Sequence, residues 1–246
     1  MATLIPQFVA APPSTALADG LTVPAGRYRF VAKLSMIDVP TRSGGTTHSA
    51  CSGALISRSY IITAGHCFHG RYGNQVSGRV PYPTTVTVDT ADTVNDAGIT
   101  RKVVSVVQSG TADVALAKLR RRVWSVPPAL ISRSAPRTGE VLTMAGWGAT
   151  SNVRPKPSDQ LRWGQMKVST YTRSTVGVVG YYPHADTSAC RYDSGAPYFT
   201  GPYRHSAPVI YSTESNGPPC PHDRIETTAR VDDLYKWIRS NVPDLP

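Results

Sequence analysis

Long apolar runs are missing from this 246-residue chain: none approaches the roughly 18 residues that a membrane-spanning helix needs. Acidic residues are scarce, 16 Asp and Glu against 26 Lys and Arg, which leaves a formal charge of +10. Such an excess would suit anionic partners. The cations are scattered, however, and the densest cluster, Arg120-Arg121-Arg122, lacks the interleaved aromatics of a single-strand binding groove. That cluster is expected on an exposed turn, and neither a nucleic-acid nor a membrane partner is expected. Cysteine is limited to four, and no two stand as Cys-x-x-Cys, so a zinc site is not indicated. Basic residues are absent from positions 1–16, which Pro12 and Pro13 also interrupt. The segment therefore does not read as a signal peptide, and it is expected to begin a mature or recombinant fragment with Met1 added.

What the chain does have is punctuation. It holds 20 Gly and 21 Pro with only 17% charged residues, a composition of many turns and few long helices. An apolar content of 40% is ample for one core or two small ones. Short β-branched or alternating runs fall at 28–34, 52–56, 60–63, 85–88, 102–107 and 114–119. A second set falls at 141–145, 161–169, 176–179, 196–199, 209–212 and 227–231. Many short strands separated by turn residues favour an all-β barrel or sandwich over a βαβ sheet. Only the end reads as helix. Val231, Leu234, Tyr235 and Ile238 recur at helical steps through 231–242, and Pro243 stops them. Residues 1–20 read as a tail, and 126–139, with Pro127, Pro128 and Pro136, read as a linker between two halves.

Three local contexts carry chemistry. They are Thr63-Ala64-Gly65-His66-Cys67, Asp113-Val114-Ala115-Leu116 and Cys190-Arg191-Tyr192-Asp193-Ser194-Gly195-Ala196-Pro197. A serine hydroxyl is a poor nucleophile until a base takes its proton, and the base needs a carboxylate to orient it. Imidazole suits the task because it exchanges protons around neutrality. In this order and with these flanks the chain, over residues 17–242, resembles the chymotrypsin (trypsin-like) family of serine endopeptidases, in the style of a secreted bacterial member.

The resemblance implies two six-stranded antiparallel β-barrels with a C-terminal α-helix. The first would span 21–125 and carry His66 and Asp113; the second would span 140–230 and carry Ser194, with 231–246 as helix and tail. Ser194 would be the nucleophile, His66 the general base and then acid, and Asp113 the imidazole's partner. Ser212 would support Asp113. The backbone N–H groups of Tyr192 and Ser194 would form the oxyanion hole. Composition leaves three cysteine pairings open; the resemblance selects Cys51–Cys67 and Cys190–Cys220, each stabilising by roughly 3–4 kcal/mol. Disulfides imply an oxidising compartment and hence secretion. Protein or peptide substrates, and a proteinaceous inhibitor, would be the partners of a monomer.

Several positions depart from the family pattern. Tyr192 stands where glycine is usual, which restricts the φ that aims its N–H, and Ala196 replaces a second glycine. No Ile/Val-Val-Gly-Gly start is present, so Asp193 is expected to be held by internal partners, an arginine or backbone amides. Ser188 would sit at the base of the primary substrate pocket and favour apolar or aromatic side chains. Thr213 takes the place of the rim tryptophan, Glu214 lies near the pocket edge, and Glu226 on its far wall could point inward or outward. No cofactor and no metal are expected; residues 70–79 contain no acid. Two other readings remain. One is a catalytically weak homologue acting as a binding protein. The other, a zinc hydrolase, would use His66-x-x-His69 and Cys220-Pro221-His222.

Overall fold

The computed structural model describes residues 17–201 and 207–246. The first strand, β1 (Leu21–Thr22), pairs with a strand of the far half of the molecule, Leu21 opposite Trp163. The chain then builds a closed barrel from β2 (Val31–Pro40), β3 (Thr46–Leu55), β4 (Tyr60–Thr63), β5 (Gly78–Arg79), β6 (Thr84–Val88), β7 (Ile99–Gln108) and β8 (Ala115–Leu119). Six of these run β7-β6-β2-β3-β4-β8 around the ring, the β7–β8 pairing closes it, and β5 extends the edge at β7. Side chains alternate inward and outward, as a pleated strand requires. In β2, Leu34 and Met36 are buried while Ser35 and Ile37 are exposed. A bulge between Met36 and Val39, with Asp38 at φ 58°, then shifts the phase so that Val39 turns inward.

The second half begins with β9 (Leu130–Ile131), inside the expected linker, which pairs in parallel with a later strand. It continues with β10 (Val141–Gly146), β11 (Arg162–Tyr171), β12 (Thr175–Tyr182), β13 (Pro197–Thr200), β14 (Val209–Asn216) and β15 (Glu226–Arg230). The order β11-β10-β13-β14-β15-β12, closed by β11–β12, is a second six-stranded antiparallel barrel. The expected all-β architecture is therefore the observed one. Of the expected tail, residues 1–16 lie outside the described residues, and Leu17 and Ala18 are fully buried, Leu17 among Leu142, Met144 and Met166. Helix α1 (Tyr235–Asn241) is shorter than the expected 231–242, because Asp232 and Asp233 form a turn and Asp232 is tied to Arg230 at 2.7 Å.

The barrels dock through aromatic packing. Phe199 of β13 meets Tyr28 and Phe30, both at 5.1 Å between centroids and edge to face. Lys33 of β2 reaches Asp159 at 2.9 Å and lies over the Trp147 ring. The C-terminus returns to the first barrel, where the Ser59 hydroxyl donates to Asp244. Two disulfides, Cys51–Cys67 and Cys190–Cys220, close loops next to the facing edges of the barrels. No helix among the described residues is long and apolar enough to cross a membrane.

Candidate active site

His66 and Asp113 come from the first barrel, one just past β4 and the other just before β8. Ser194 comes from the second, just before β13. A 3-10 turn at Gly65–Cys67 turns the imidazole toward Asp113. The Asp113 carboxylate accepts twice from His66, from Nδ1 at 2.7 Å and from the backbone N–H at 2.8 Å. On the other side of the ring, Nε2 lies 2.8 Å from Ser194 Oγ. With Nδ1–H committed to Asp113, Nε2 is left as the acceptor for the serine proton. Burial works against an ionised Asp113, but hydrogen bonds from the His66 ring, the Ser215 hydroxyl and the His66 amide outweigh it and hold the carboxyl below its usual range.

The supporting hydroxyl is Ser215, which donates to Asp113 Oδ2 at 2.6 Å, and not Ser212. Ser212 points into the second barrel, where it accepts from Thr228 Oγ1 at 2.8 Å. The cause is a register shift. Glu214 lies opposite Thr228 and Asn216 opposite Thr227, so Ser215 is the extra residue of a bulge. A bulged residue leaves the alternation of its strand, and here that turns Ser215 toward Asp113.

Tyr192 adopts φ 78°, the left-handed conformation for which a tyrosine is poorly suited. Ser52 of β3 secures it. Trp147 N–H donates to Ser52 Oγ at 2.8 Å, Ser52 Oγ donates to the Tyr192 carbonyl at 3.2 Å, and Ser52 N–H donates to the Ser194 carbonyl at 2.9 Å. One fully buried serine thus holds both carbonyls of the turn. Among the described residues nothing accepts the N–H of Tyr192 or of Ser194. Gly195 has φ 83°, and a Cβ there would lie 2.2 Å from Thr63 Oγ1, so glycine is required. The sequence offered no sign of Ser52 beyond its place beside Cys51.

Asp193 is fully buried and accepts from Gly148 N–H at 2.8 Å and Cys190 N–H at 3.0 Å. Its partners here are backbone amides. A Cβ on either Gly146 or Gly148 would come within 2.1 Å of its carboxylate, which explains the Gly146-Trp147-Gly148 spacing. Burial pushes the Asp193 carboxyl up to about 7 despite the two amides.

Beside the His66–Ser194 pair opens a cleft of about 320 Å³, lined by His66, Ala189, Cys190, Ser194, Glu214 to Cys220 and neighbours. The expected lining needs correction at three positions. Ser188 is fully buried, its hydroxyl accepting from His222 N–H at 3.1 Å, and it does not line the cleft. Thr213 is buried opposite Pro197, and the bulge gives the rim to Ser215, Asn216 and Gly217 instead. Glu226 points inward, fully buried, and accepts from Ala189 N–H and Tyr198 Oη without reaching the cleft. Glu214 lines the cleft. The residues considered for zinc are engaged elsewhere: His69 Nδ1 bonds the Gly70 carbonyl, and Cys220 is in a disulfide.

A family model described as Trypsin matches residues 19–238. Trypsin, alkaline B of Manduca sexta is 26% identical over 220 residues, which cover 82% of this chain and 82% of that protein. Cathepsin G of Homo sapiens is 25% identical over 213 residues, covering 79% and 77%. Transmembrane protease serine 7 of Mus musculus is 24% identical over 218 residues. The match covers 79% of this chain, but the chain spans only 26% of that relative's length.

Proposed function

The chain belongs to the trypsin family, and from that premise we propose that it is a serine endopeptidase whose catalytic residues are Ser194, His66 and Asp113. The observation that carries the reading is the unbroken line from Asp113 through His66 to Ser194, with both bonds at 2.7–2.8 Å. As Ser194 Oγ attacks a peptide carbonyl carbon, its proton passes to His66 Nε2, and the carbonyl oxygen becomes an oxyanion. The N–H groups of Tyr192 and Ser194, without an acceptor among the described residues, are the donors that would take that charge. Collapse of the tetrahedral species expels the amine, which leaves with the proton from Nε2. Water then repeats the sequence on the acyl-enzyme, with His66 again as base.

Asp113 stabilises the imidazolium formed in each step and keeps Nδ1 as the donor. Tyr192 at positive φ is compatible with this role because the N–H is a backbone group and Ser52 fixes its direction. Protein and peptide chains are the substrates we infer, with the cleft of Glu214 to Cys220 receiving the side chain before the cleaved bond. A monomer released into an oxidising compartment fits the two disulfides, and a proteinaceous inhibitor would occupy the same cleft. Turnover of a mixed peptide library, with and without Ser194→Ala, tests the reading. The variant should lose at least about 10⁴-fold in kcat/KM. Equal turnover by both proteins would refute it.

A further inference from the structure

Behind the cleft wall lies an arrangement that the Ser-His-Asp reading does not use. Two glutamates from adjacent strands, Glu214 of β14 and Glu226 of β15, converge on one tyrosine of β13. Tyr198 Oη lies 2.6 Å from Glu214 Oε2 and 2.9 Å from Glu226 Oε2. All three are 4% exposed or less. A phenol has one proton and can donate to only one of them. At such distances the second carboxyl must supply the other proton and donate to the phenol oxygen, since two buried carboxylates facing one oxygen would be intolerable. The group therefore holds two hydrogen bonds in series, and each can run in either direction.

The two directions differ in where charge sits. In one, Glu214 is the acid, donating to Tyr198, and Tyr198 donates to a Glu226 carboxylate. In the other, the Glu214 proton has moved to Tyr198 Oη while the Tyr198 proton has moved to Glu226 Oε2. No proton enters or leaves; the negative charge passes from the buried Glu226 to Glu214, which lines the cleft. Resting on the endopeptidase reading above, we propose that Glu214, Tyr198 and Glu226 are a proton-sharing specificity wall, presenting a carboxylate to a cationic Lys or Arg side chain and a neutral acid to any other.

Other features agree. Glu214 is the acidic group among the cleft's described lining residues, where it faces the cations His66 (when protonated) and Arg191. Glu226 has a reason to hold charge at rest, because Ala189 N–H donates to its other oxygen. The surrounding titratable groups are Asp193 from the nucleophile turn, Asp113 behind Ser215, and His222, whose Nε2 stands 3.5 Å from Glu226 Oε1 without a hydrogen bond. The two aspartates oppose ionisation of Glu214. Burial and the charge of Arg224 hold His222 below its usual range, so it remains neutral as pH rises. Burial first, and then Glu226, push Glu214 well above the carboxylate range, while burial brings Glu226 up to about 7. The wall is thus uncharged in mild acid and carries one negative charge on the alkaline side of neutrality.

The test compares two peptide amides that differ only before the cleaved bond, one with lysine and one with norleucine. Their kcat/KM ratio is followed from about pH 5.5 to 8.5, where the lysine amine stays protonated. A small organophosphofluoridate that puts no side chain in the cleft counts the active sites. The wild-type ratio should rise about tenfold or more through neutrality. Glu214→Gln should abolish the lysine preference at every pH, and Tyr198→Phe should flatten the rise. Where Tyr198→Phe does not fold, Glu226→Gln serves: without the neighbouring carboxylate that opposes its ionisation, Glu214 should present charge at lower pH, and a rise left where it was overturns the proposal. A flat wild-type ratio with full titration, or a ratio unchanged in Glu214→Gln, overturns the proposal. Failure of the wild-type protein to take up the reagent overturns the endopeptidase reading itself, and the wall with it.

Discussion

Ser52 shows how much of the chemistry depends on a residue that performs none of it. Its hydroxyl links Trp147 N–H to the Tyr192 carbonyl, and its amide holds the Ser194 carbonyl. A positive φ at a bulky residue costs about 1–3 kcal/mol and persists only where neighbours over-determine it. Ser52→Ala leaves the Trp147 donor without its acceptor inside the protein, a loss of about 1–3 kcal/mol in stability. It also frees the Tyr192 peptide to rotate. The expected outcome is a kcat reduced about tenfold or more with KM little changed, because one oxyanion donor is misdirected in the transition state. Tyr192→Gly, which relieves strain without touching the clamp, should keep kcat within a few-fold. Steady-state kinetics on both variants would reveal a reversed order, and that would remove Ser52 from this role.

At the scale of elements, the strands were largely legible and the bulges were not. Alternation and β-branched runs marked 60–63 and 141–145 because those segments are pleated against a core from end to end. The same signal ended 209–212 too early. β14 continues to Asn216, but past Thr213 it carries polar residues whose burial rests on partners distant in sequence, Tyr198 and Asp113. The family resemblance therefore pointed to Ser212, whereas the extra residue at the bulge brought Ser215 to Asp113. The proposed triad could be picked out because each member sits in a distinctive local run. The cleft lining could not, since it depends on register. A pair of variants separates the two serines. Ser215→Ala removes a hydrogen bond to a charged group, typically worth about 1.5–3 kcal/mol, and should lower kcat/KM roughly 10- to 100-fold. Ser212→Ala should lower it less than about threefold while reducing melting temperature. Equal effects on kcat/KM would argue that Asp113 does not depend on Ser215.

For the whole molecule, the second barrel hides more acid than its scarce carboxylates would suggest. Burial brings Asp193 and Glu226 up to about 7 and pushes Glu214 well above the ordinary carboxylate range. Between the ordinary carboxylate range and about pH 7, the folded protein binds more protons than the unfolded chain, so stability falls as pH rises. The contribution is fully present below the unfolded values and is lost on the way to neutrality, on the order of 3–4 kcal/mol for Asp193 and for Glu226. Asp113 acts in the opposite sense, since its carboxyl is held low and its contribution disappears in stronger acid. Calorimetry should find the highest melting temperature near pH 5, with a decline toward pH 7.5. A melting temperature that is level or rising across that interval would contradict the assignment of buried, proton-holding acids.

The same docking of two barrels, through Phe199 against Tyr28 and Phe30, brings the His66 imidazole to the Ser194 hydroxyl. The most direct test of that juncture is covalent labelling by a sulfonyl fluoride, with the modified residue located by mass spectrometry. The account predicts stoichiometric labelling at Ser194 that is lost in His66→Ala and in protein unfolded by denaturant. Absence of labelling in the folded protein, or labelling of Ser194 that persists without His66, would contradict it.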